Sequence, residues 1–230
     1  MALTEIEEQG NVLFLGIIGN RFNQKVSKDT PGAKYRLFTD SDGVEYHIHE
    51  ILHKNLKGNI TNLKVIEGKY GPQLMIEIEN EGEKARLYIN TATAYFGAFV
   101  KRLPNIDLTA EVTLVPYNFT TETGKTLKGI TIYQDGSKLN NYYYDPINKV
   151  HINLPVTKKP WDELTTIEQK AYYLLQTQFF IESVGIIAQG IPVHPKQLEA
   201  YDHVAKLGTN PDEVTSDTLF GRPDPEQPEL

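Results

Sequence analysis

The feature that most constrains this 230-residue chain is a change of hydrophobic period near its middle. "QLMIEIE" (73–79) alternates, with Leu74, Ile76 and Ile78 on one side, and "KARLYIN" (84–90) alternates again, with Ala85, Leu87 and Ile89 on one side. A period of two marks a strand with one buried face. "TATAYFGAFVKRL" (91–103) then puts Phe96, Phe99, Val100 and Leu103 at helical spacing. Asn90 or Thr91 can cap that helix, Lys101 and Arg102 suit its C-terminal dipole, and Pro104 stops it. Alternation resumes in "EVTLVPY" (111–117) and "LKGITIYQ" (127–134). Asp135–Gly136 then signals a hairpin into "SKLNNYYY" (137–144). If 137–144 is a strand, Tyr142 and Tyr144 share one face and Tyr143 takes the other.

With "NITNLKVIEG" (59–68) as a further strand, the order is three strands, a helix and two strands, which is the order of the five-stranded OB barrel. "AKYRLFT" (33–39) adds a strand before it. The expected fold is mainly β with α: a five-stranded OB-type barrel with extra N-terminal strands and a C-terminal helical appendage. The expected units are an N-terminal arm or strand (1–33), the barrel (34–157), the helical appendage (158–208) and an acidic tail without fixed structure (209–230). "LPVTKKPW" (154–161) reads as a linker. Thr165 and Glu168 form a capping-box pattern ahead of a helix over 165–189. Its apolar residues lie on more than one face, so it is covered on two sides, by the barrel and a second layer or by another copy of the chain. A shorter helix is expected over 194–208, with Pro195 in its first turn and Gly208 past its end. The tail "TNPDEVTSDTLFGRPDPEQPEL" carries six acids and one arginine.

The net charge of −7 is unevenly spread. Residues 11–159 hold 19 Lys and Arg against 15 Asp and Glu, whereas residues 160–230 hold 4 against 12. A mildly basic body with an acidic end suits a partner that is a polyanion. No cysteine occurs, which excludes disulfides and thiol chemistry and fits a reducing compartment. The start, "MALTEIEEQGNVLFLGII", has acids where a secretory signal needs bases, and no stretch approaches the roughly 18 apolar residues of a membrane span. The expectation is a cytoplasmic protein with no membrane partner.

"HEILH" (49–53) fits H-E-x-x-H. On a helix that spacing puts His49 and His53 on one face to bind zinc while Glu50 activates water, the chemistry of a metallopeptidase. The preceding "VEYHIH" also alternates as a strand, and a third ligand is not evident, although Glu67 and Glu77 are candidates. The "GKT" at 124–126 lacks the first glycine of a phosphate loop, since Phe119 stands there. No Ser/His/Asp set or acid–base pair stands out, so no enzyme activity and no cofactor is expected.

The remaining signal is aromatic and basic. OB folds bind single strands on the face of strands two and three and with the loops joining strands one–two and four–five. Those positions hold Lys69 and Tyr70 in the first loop, Arg86 and Tyr88 on strand three, and Tyr117, Phe119, Lys125 and Lys128 around the second loop. Tyr133 and Lys138 continue the set. Bases stack on rings and cations hold phosphates, so the mixture suits an unpaired polynucleotide. Glu77 and Glu79 share the face of strand two, and register puts them opposite Arg86 and Lys84, where they are neutralised.

The runs "LKGNITNLKVIEGKYGPQLMIEIE", "YINTATAYFGAFVKRLPNIDL", "GITIYQDGSKLNNYY" and "KKPWDE", with "TPGAKYR" near residue 30, resemble the OB-fold single-stranded-DNA-binding proteins of tailed bacteriophages. The similarity spans roughly residues 30–165 in short motifs. It implies cooperative coating of single-stranded DNA in replication or recombination. It also implies an acidic C-terminal tail that recruits replication or recombination proteins and competes with DNA. Many such tails end in an aromatic, whereas this one ends in Leu230. In that family the "HEILH" stretch corresponds to a strand. A structural or oligomerisation β-module of a viral particle is the third reading, with homo-oligomers as its expectation.

Overall fold

The computed structural model describes residues 12–39, 43–155, 157 and 159–189. The first four strands are β1 (Val12–Ile18), β2 (Arg21–Lys25), β3 (Lys34–Thr39) and β4 (Glu45–His53). Next come β5 (Leu56–Gly68), β6 (Gly71–Asn80) and β7 (Glu83–Asn90), followed by helix α1 (Ala94–Val100). Strands β8 (Val112–Thr120), β9 (Thr126–Gln134) and β10 (Ser137–Lys138) follow. A two-stranded patch, β11 (Tyr144–Asp145) with β12 (Val150–His151), leads to the long helix α2 (Thr166–Ala188). The chain is mainly β with some helix, as the alternation predicts.

Ten strands form one sheet in the order β10-β9-β8-β5-β6-β7-β1-β2-β4-β3. All its ladders are antiparallel except β1 with β7. The long strand β5 serves two neighbours, β8 over Leu56–Gly58 and β6 over Asn59–Gly68. Gly58, with φ +149°, sits where it changes partner. A Cβ there would meet the Glu79 carbonyl oxygen at 2.5 Å, so only glycine lets the two backbones approach this closely. A bulge at Thr61, between Ile60 and Asn62, adds to the bend. Asp135 (φ 50°) and Gly136 (φ 74°) make the two-residue turn expected of Asp-Gly.

The expected barrel is not closed; the sheet is open. The edge of β7 that a closing strand would use is taken by β1, which runs parallel to it from Val12 beside Lys84 to Leu15 beside Leu87. "VLFLGII" is a continuous apolar run, and such a run has no alternation from which a partner can be read. The sheet nonetheless curls, so that β2 lies against β8. Tyr95 Oη on α1 donates to the Gly19 carbonyl at 2.5 Å and ties the β1–β2 turn to the helix.

The curl encloses one core. Leu15, Ile17 and Phe22 enter it from β1 and β2, Leu74, Ile76, Ile78, Leu87 and Ile89 from β6 and β7, and Leu114, Ile130 and Ile132 from β8 and β9. Helix α1 closes it with Phe96 and Phe99 against β9 and β7. It is shorter than the apolar spacing suggests. Its cap is Thr93, whose hydroxyl accepts from the Phe96 N–H, and Pro104 lies inside a following 3-10 turn, Leu103–Asn105, rather than ending the α-helix. Helix α2 packs on β5 and α1 through Phe179, Phe180, Val184 and Ile187. Its capping box forms as expected: Thr165 Oγ1 accepts from Glu168 N–H, and Glu168 accepts from Thr165 N–H at 2.8 Å.

The three adjacent tyrosines do not share a strand. Ser137 and Lys138 pair with β9, the Leu139 N–H still donates to the Ile132 carbonyl at 2.9 Å, and the chain then leaves the sheet. The Tyr142 N–H donates to the Lys101 carbonyl at 2.8 Å, which pulls the segment onto α1. Tyr143 is fully buried between Phe179 and Phe180, both with ring centroids 5.7 Å away, while Tyr144 is at the surface beside His151. The sheet runs without a break across residue 33, because β2 and β3 both pair with β4. The helix expected over 194–208 and the acidic tail 209–230 lie outside the described residues.

Candidate nucleic-acid interface

Register decides which side chains share a face. Glu77 is opposite Arg86 and Met75 opposite Tyr88, and β1 adds Phe14 beside Arg86. On the far side of β5, Lys57 is opposite Thr113, and Thr113 opposite Tyr133. Alternation then puts Arg86, Tyr88, Phe14, Tyr117, Phe119 and Tyr133 on the outer face of the same curved sheet. Lys138 joins them opposite Tyr133. Lys128 does not: it is opposite Asn118, with the parity of Ile130 and Ile132, and is exposed on the other face past the end of the core.

One end of the sheet gathers three turns. The β5–β6 turn carries Lys69 and Tyr70, with the Lys69 Nζ 5.0 Å from the Tyr70 ring centroid. Asn90 Nδ2 at the end of β7 donates to the Tyr70 carbonyl at 3.4 Å. The β1–β2 turn follows a strand parallel to β7, so it reaches the same end, and a Cβ on Gly19 would lie 4.0 Å from Asn118 Nδ2 on β8. Asn118 leads directly into the 121–125 turn, which holds Lys125. Tyr70 and Phe119 are about half exposed here. Tyr133 and Lys138 sit at the other end of β9, and six residues of strand, about 20 Å, separate Tyr133 from Leu127, the partner of Phe119.

The rings are not equivalent. Phe119 is 52% exposed, and its centroid is 5.9 Å from that of Tyr117. Tyr117 is half-buried because it lies across Gly129: a Cβ there would be 2.5 Å from Tyr117 Oη and 2.8 Å from Ala98 Cβ on α1. It is therefore a packing residue that supports Phe119. Tyr88 stacks on Phe14 with centroids 6.4 Å apart and planes 12° from parallel. Phe14 is 57% exposed and was not among the expected residues. Nothing local in "VLFLGII" marks it, because its role depends on a pairing 72 residues away with Arg86.

The electrostatics between these rings is largely cancelled. Arg86 Nε meets Glu77 at 2.8 Å and Lys84 Nζ meets Glu79 at 3.8 Å, the cross-strand pairs that register predicts. Arg86, helped by the Thr61 hydroxyl, holds the Glu77 carboxyl below the usual carboxylate range against the effect of partial burial. Lys125 and Lys138 take part in no ion pair among the described residues, and neither does the exposed Lys64, which lies opposite Met75 on the same face.

The "HEILH" motif lies on β4, not on a helix. Alternation puts His49 and His53 on one face and Glu50 on the other. Glu50 is 3% exposed and accepts from Arg36 Nε and Asn23 Nδ2, both at 3.2 Å, so it is committed to a buried polar cluster. Among the described residues no three His, Asp or Glu side chains are grouped to hold a metal ion. The strand geometry removes the premise of the metallopeptidase reading. Comparison with protein-family models, curated proteins and solved structures finds no match to this chain.

Proposed function

We propose that this protein binds single-stranded DNA without reading its sequence and does so without catalysis. Phe119, Tyr70 and the Phe14–Tyr88 pair stack bases, and Lys69, Lys125 and neighbouring cations hold phosphates. The observation that carries the reading is the gathering of exposed rings and lysines of the β5–β6 and β8–β9 turns at one end of the curled sheet. Base stacking of about 1–3 kcal/mol per ring tolerates any sequence, and cations at the turns suit a flexible backbone.

The topology supports the same reading. Strands β5, β6, β7, β8 and β9, with α1 between the third and fourth, lie in the order β9-β8-β5-β6-β7. We read them as an OB-type unit, a Greek-key barrel that is partly open in general, here with β1 at the edge where it would close. The setting in replication or recombination, the bacteriophage origin and partner recruitment by the acidic tail rest on the resemblance of the sequence motifs.

A gel shift with oligo-dT at two salt concentrations tests the proposal. Binding at low salt that weakens steeply as salt rises, with duplex DNA a poor competitor, is the expected result. No shift at low salt with protein in micromolar excess overturns it.

A further inference from the structure

Apart from the rings of the sheet, three aromatic side chains gather at the start of α2. Trp161 lies in the 3-10 turn Trp161–Glu163 ahead of the helix, with its ring centroid 5.6 Å from that of Tyr172 and 5.3 Å from that of Tyr173. Tyr172 and Tyr173 are 6.1 Å apart, and the three pairs meet at 61–72°. The chain ahead of the helix is fixed. Gln169 Nε2 donates to the Leu164 carbonyl at 3.2 Å, Lys159 Nζ meets Glu168 at 2.8 Å, and the capping box closes on Thr165. Trp161 and Tyr173 nevertheless stay 42% and 52% exposed. The Trp161 indole N–H has no hydrogen-bond partner among the described residues, and the neighbouring Asp162 is exposed and in no ion pair among them. Grooves between such rings receive proline-rich segments in the polyproline II conformation, whose order is already fixed by the proline rings.

The chain carries a segment of that kind. "RPDPEQP" (222–228) places Arg222, Pro225 and Pro228 at intervals of three. Polyproline II has three residues per turn, so these side chains fall on one edge, about 9 Å apart, and Asp224 and Glu226 fall on the others. We propose that residues 222–228 dock on Trp161, Tyr172 and Tyr173 of their own chain, with Pro225 and Pro228 against the rings and Arg222 at Asp162. Charge and reach select this occupant. The other P-x-x-P pair, Pro192 and Pro195, has Gln189 where Arg222 stands, and it follows α2 too closely to return about 35 Å along the 23 residues of that helix. The 32 residues of 190–221 cover that distance with length to spare. The docked segment uses no residue of the sheet, so the proposal does not depend on nucleic-acid binding.

Trp161 is the sole tryptophan, so its fluorescence reports the site alone. Acrylamide quenching of the full chain is the first measurement. A tail variant of the full chain, carrying Arg222→Glu, Pro225→Ser and Pro228→Ser, is expected to raise the quenching constant and shift the emission to the red, because the indole is uncovered. The second measurement titrates a synthetic peptide of residues 219–230 into both proteins. A tethered tail acts at an effective concentration of about 1 mM, so a peptide with a Kd of about 0.1 mM for the tail variant should bind wild type about 10-fold more weakly. Adding Tyr173→Ala to the tail variant is expected to abolish the peptide response. Equal quenching of wild type and tail variant overturns the proposal, as does a tail variant that gives no response at about 1 mM peptide. A peptide that binds both proteins equally also overturns it, since the site then takes proline-rich chain but not its own tail. So does a response that survives Tyr173→Ala, since the rings are then not the site.

Discussion

The strands β5–β9 and the pair β3–β4 belong to one sheet but are held in different ways. The first group wraps an apolar core on which α1 and α2 close, and Phe96, Tyr143, Phe179 and Phe180 pack there as a set of edge-on and tilted rings. The second adds nothing to that core. Its order comes from β2, from the single buried apolar residue Ile48, and from the polar cluster of Asn23, Arg36 and Glu50 where the 26–33 connection crosses β4. A two-stranded ribbon is marginal alone, so this pair is stabilised by neighbours rather than by its own packing. The comparison separates two roles. The cored group can fix side chains rigidly enough to present them to a ligand, whereas the outer pair offers an open backbone edge.

The largest effect that tests this contrast is on stability. Tyr143→Ala is expected to cost about 3–5 kcal/mol, as truncation of a buried aromatic does, while Tyr35→Ala, which gives up one exposed hydrogen bond with His47, is expected to stay within about 1 kcal/mol. Urea unfolding of both variants measures it, and equal losses would remove the distinction. Next in size is an alkaline effect. Burial pushes the Tyr143 phenol up to about 12, against a smaller pull from Ser183, whose own proton goes to the Phe179 carbonyl at 2.8 Å. Tyr143 Oη has no hydrogen bond of regular geometry. An unfolded tyrosine ionises near 10, so this contribution to stability is whole below about pH 10 and is lost as pH rises toward 12. Tyr143→Phe should leave neutral stability almost unchanged and spare about 2 kcal/mol of the loss over that range. An unchanged alkaline slope would contradict the assignment of the shift to burial.

Most of the cored group was legible in the sequence. Alternation found β6, β7, β8 and β9, and helical spacing found the buried face of α1, because each pattern reports a local contact with the core. Glu77 opposite Arg86 and Glu79 opposite Lys84 followed from an antiparallel turn at 80–83 alone. What was not legible depends on distant partners. The parallel pairing of β1 with β7 leaves no trace in a uniformly apolar run, and with it went both the open sheet and Phe14. The tyrosine triplet was misread because alternation assumes that a strand continues, and here a backbone bond to Lys101 ends it. Tyr117 is a ring at a position expected to stack bases, but Gly129 and Ala98 use it for packing.

A third prediction bears on how the cored group presents its rings. Phe119 and Tyr133 share the outer face of the β8–β9 hairpin at opposite ends. Phe119→Ala is expected to weaken oligo-dT binding about 5- to 150-fold, the worth of one stacked base, and Tyr133→Ala by less than about 3-fold. Fluorescence anisotropy at fixed low salt measures both. Equal losses would mean that the whole face contacts DNA and that the gathering of turns has no special role.

The smallest effect concerns charge between those rings. Glu77 places a carboxylate on the outer face beside Arg86, and their hydrogen bond keeps it ionised below its ordinary value. Its folded pKa is depressed, so the pair is whole above the unfolded value of about 4.5 and is lost as pH falls through the folded one. Glu77→Gln keeps the shape and removes one negative charge from the face that the proposed function gives to a polyanion. Oligo-dT affinity should rise about 2-fold at low salt, on the scale of a single exposed ion pair, and the gain should vanish at high salt. Stability should fall by no more than about 1 kcal/mol. A gain that persists at high salt would point to a new hydrogen bond rather than to removed repulsion, and no gain at low salt would place the DNA path away from β6 and β7, leaving the turns as the whole of the site.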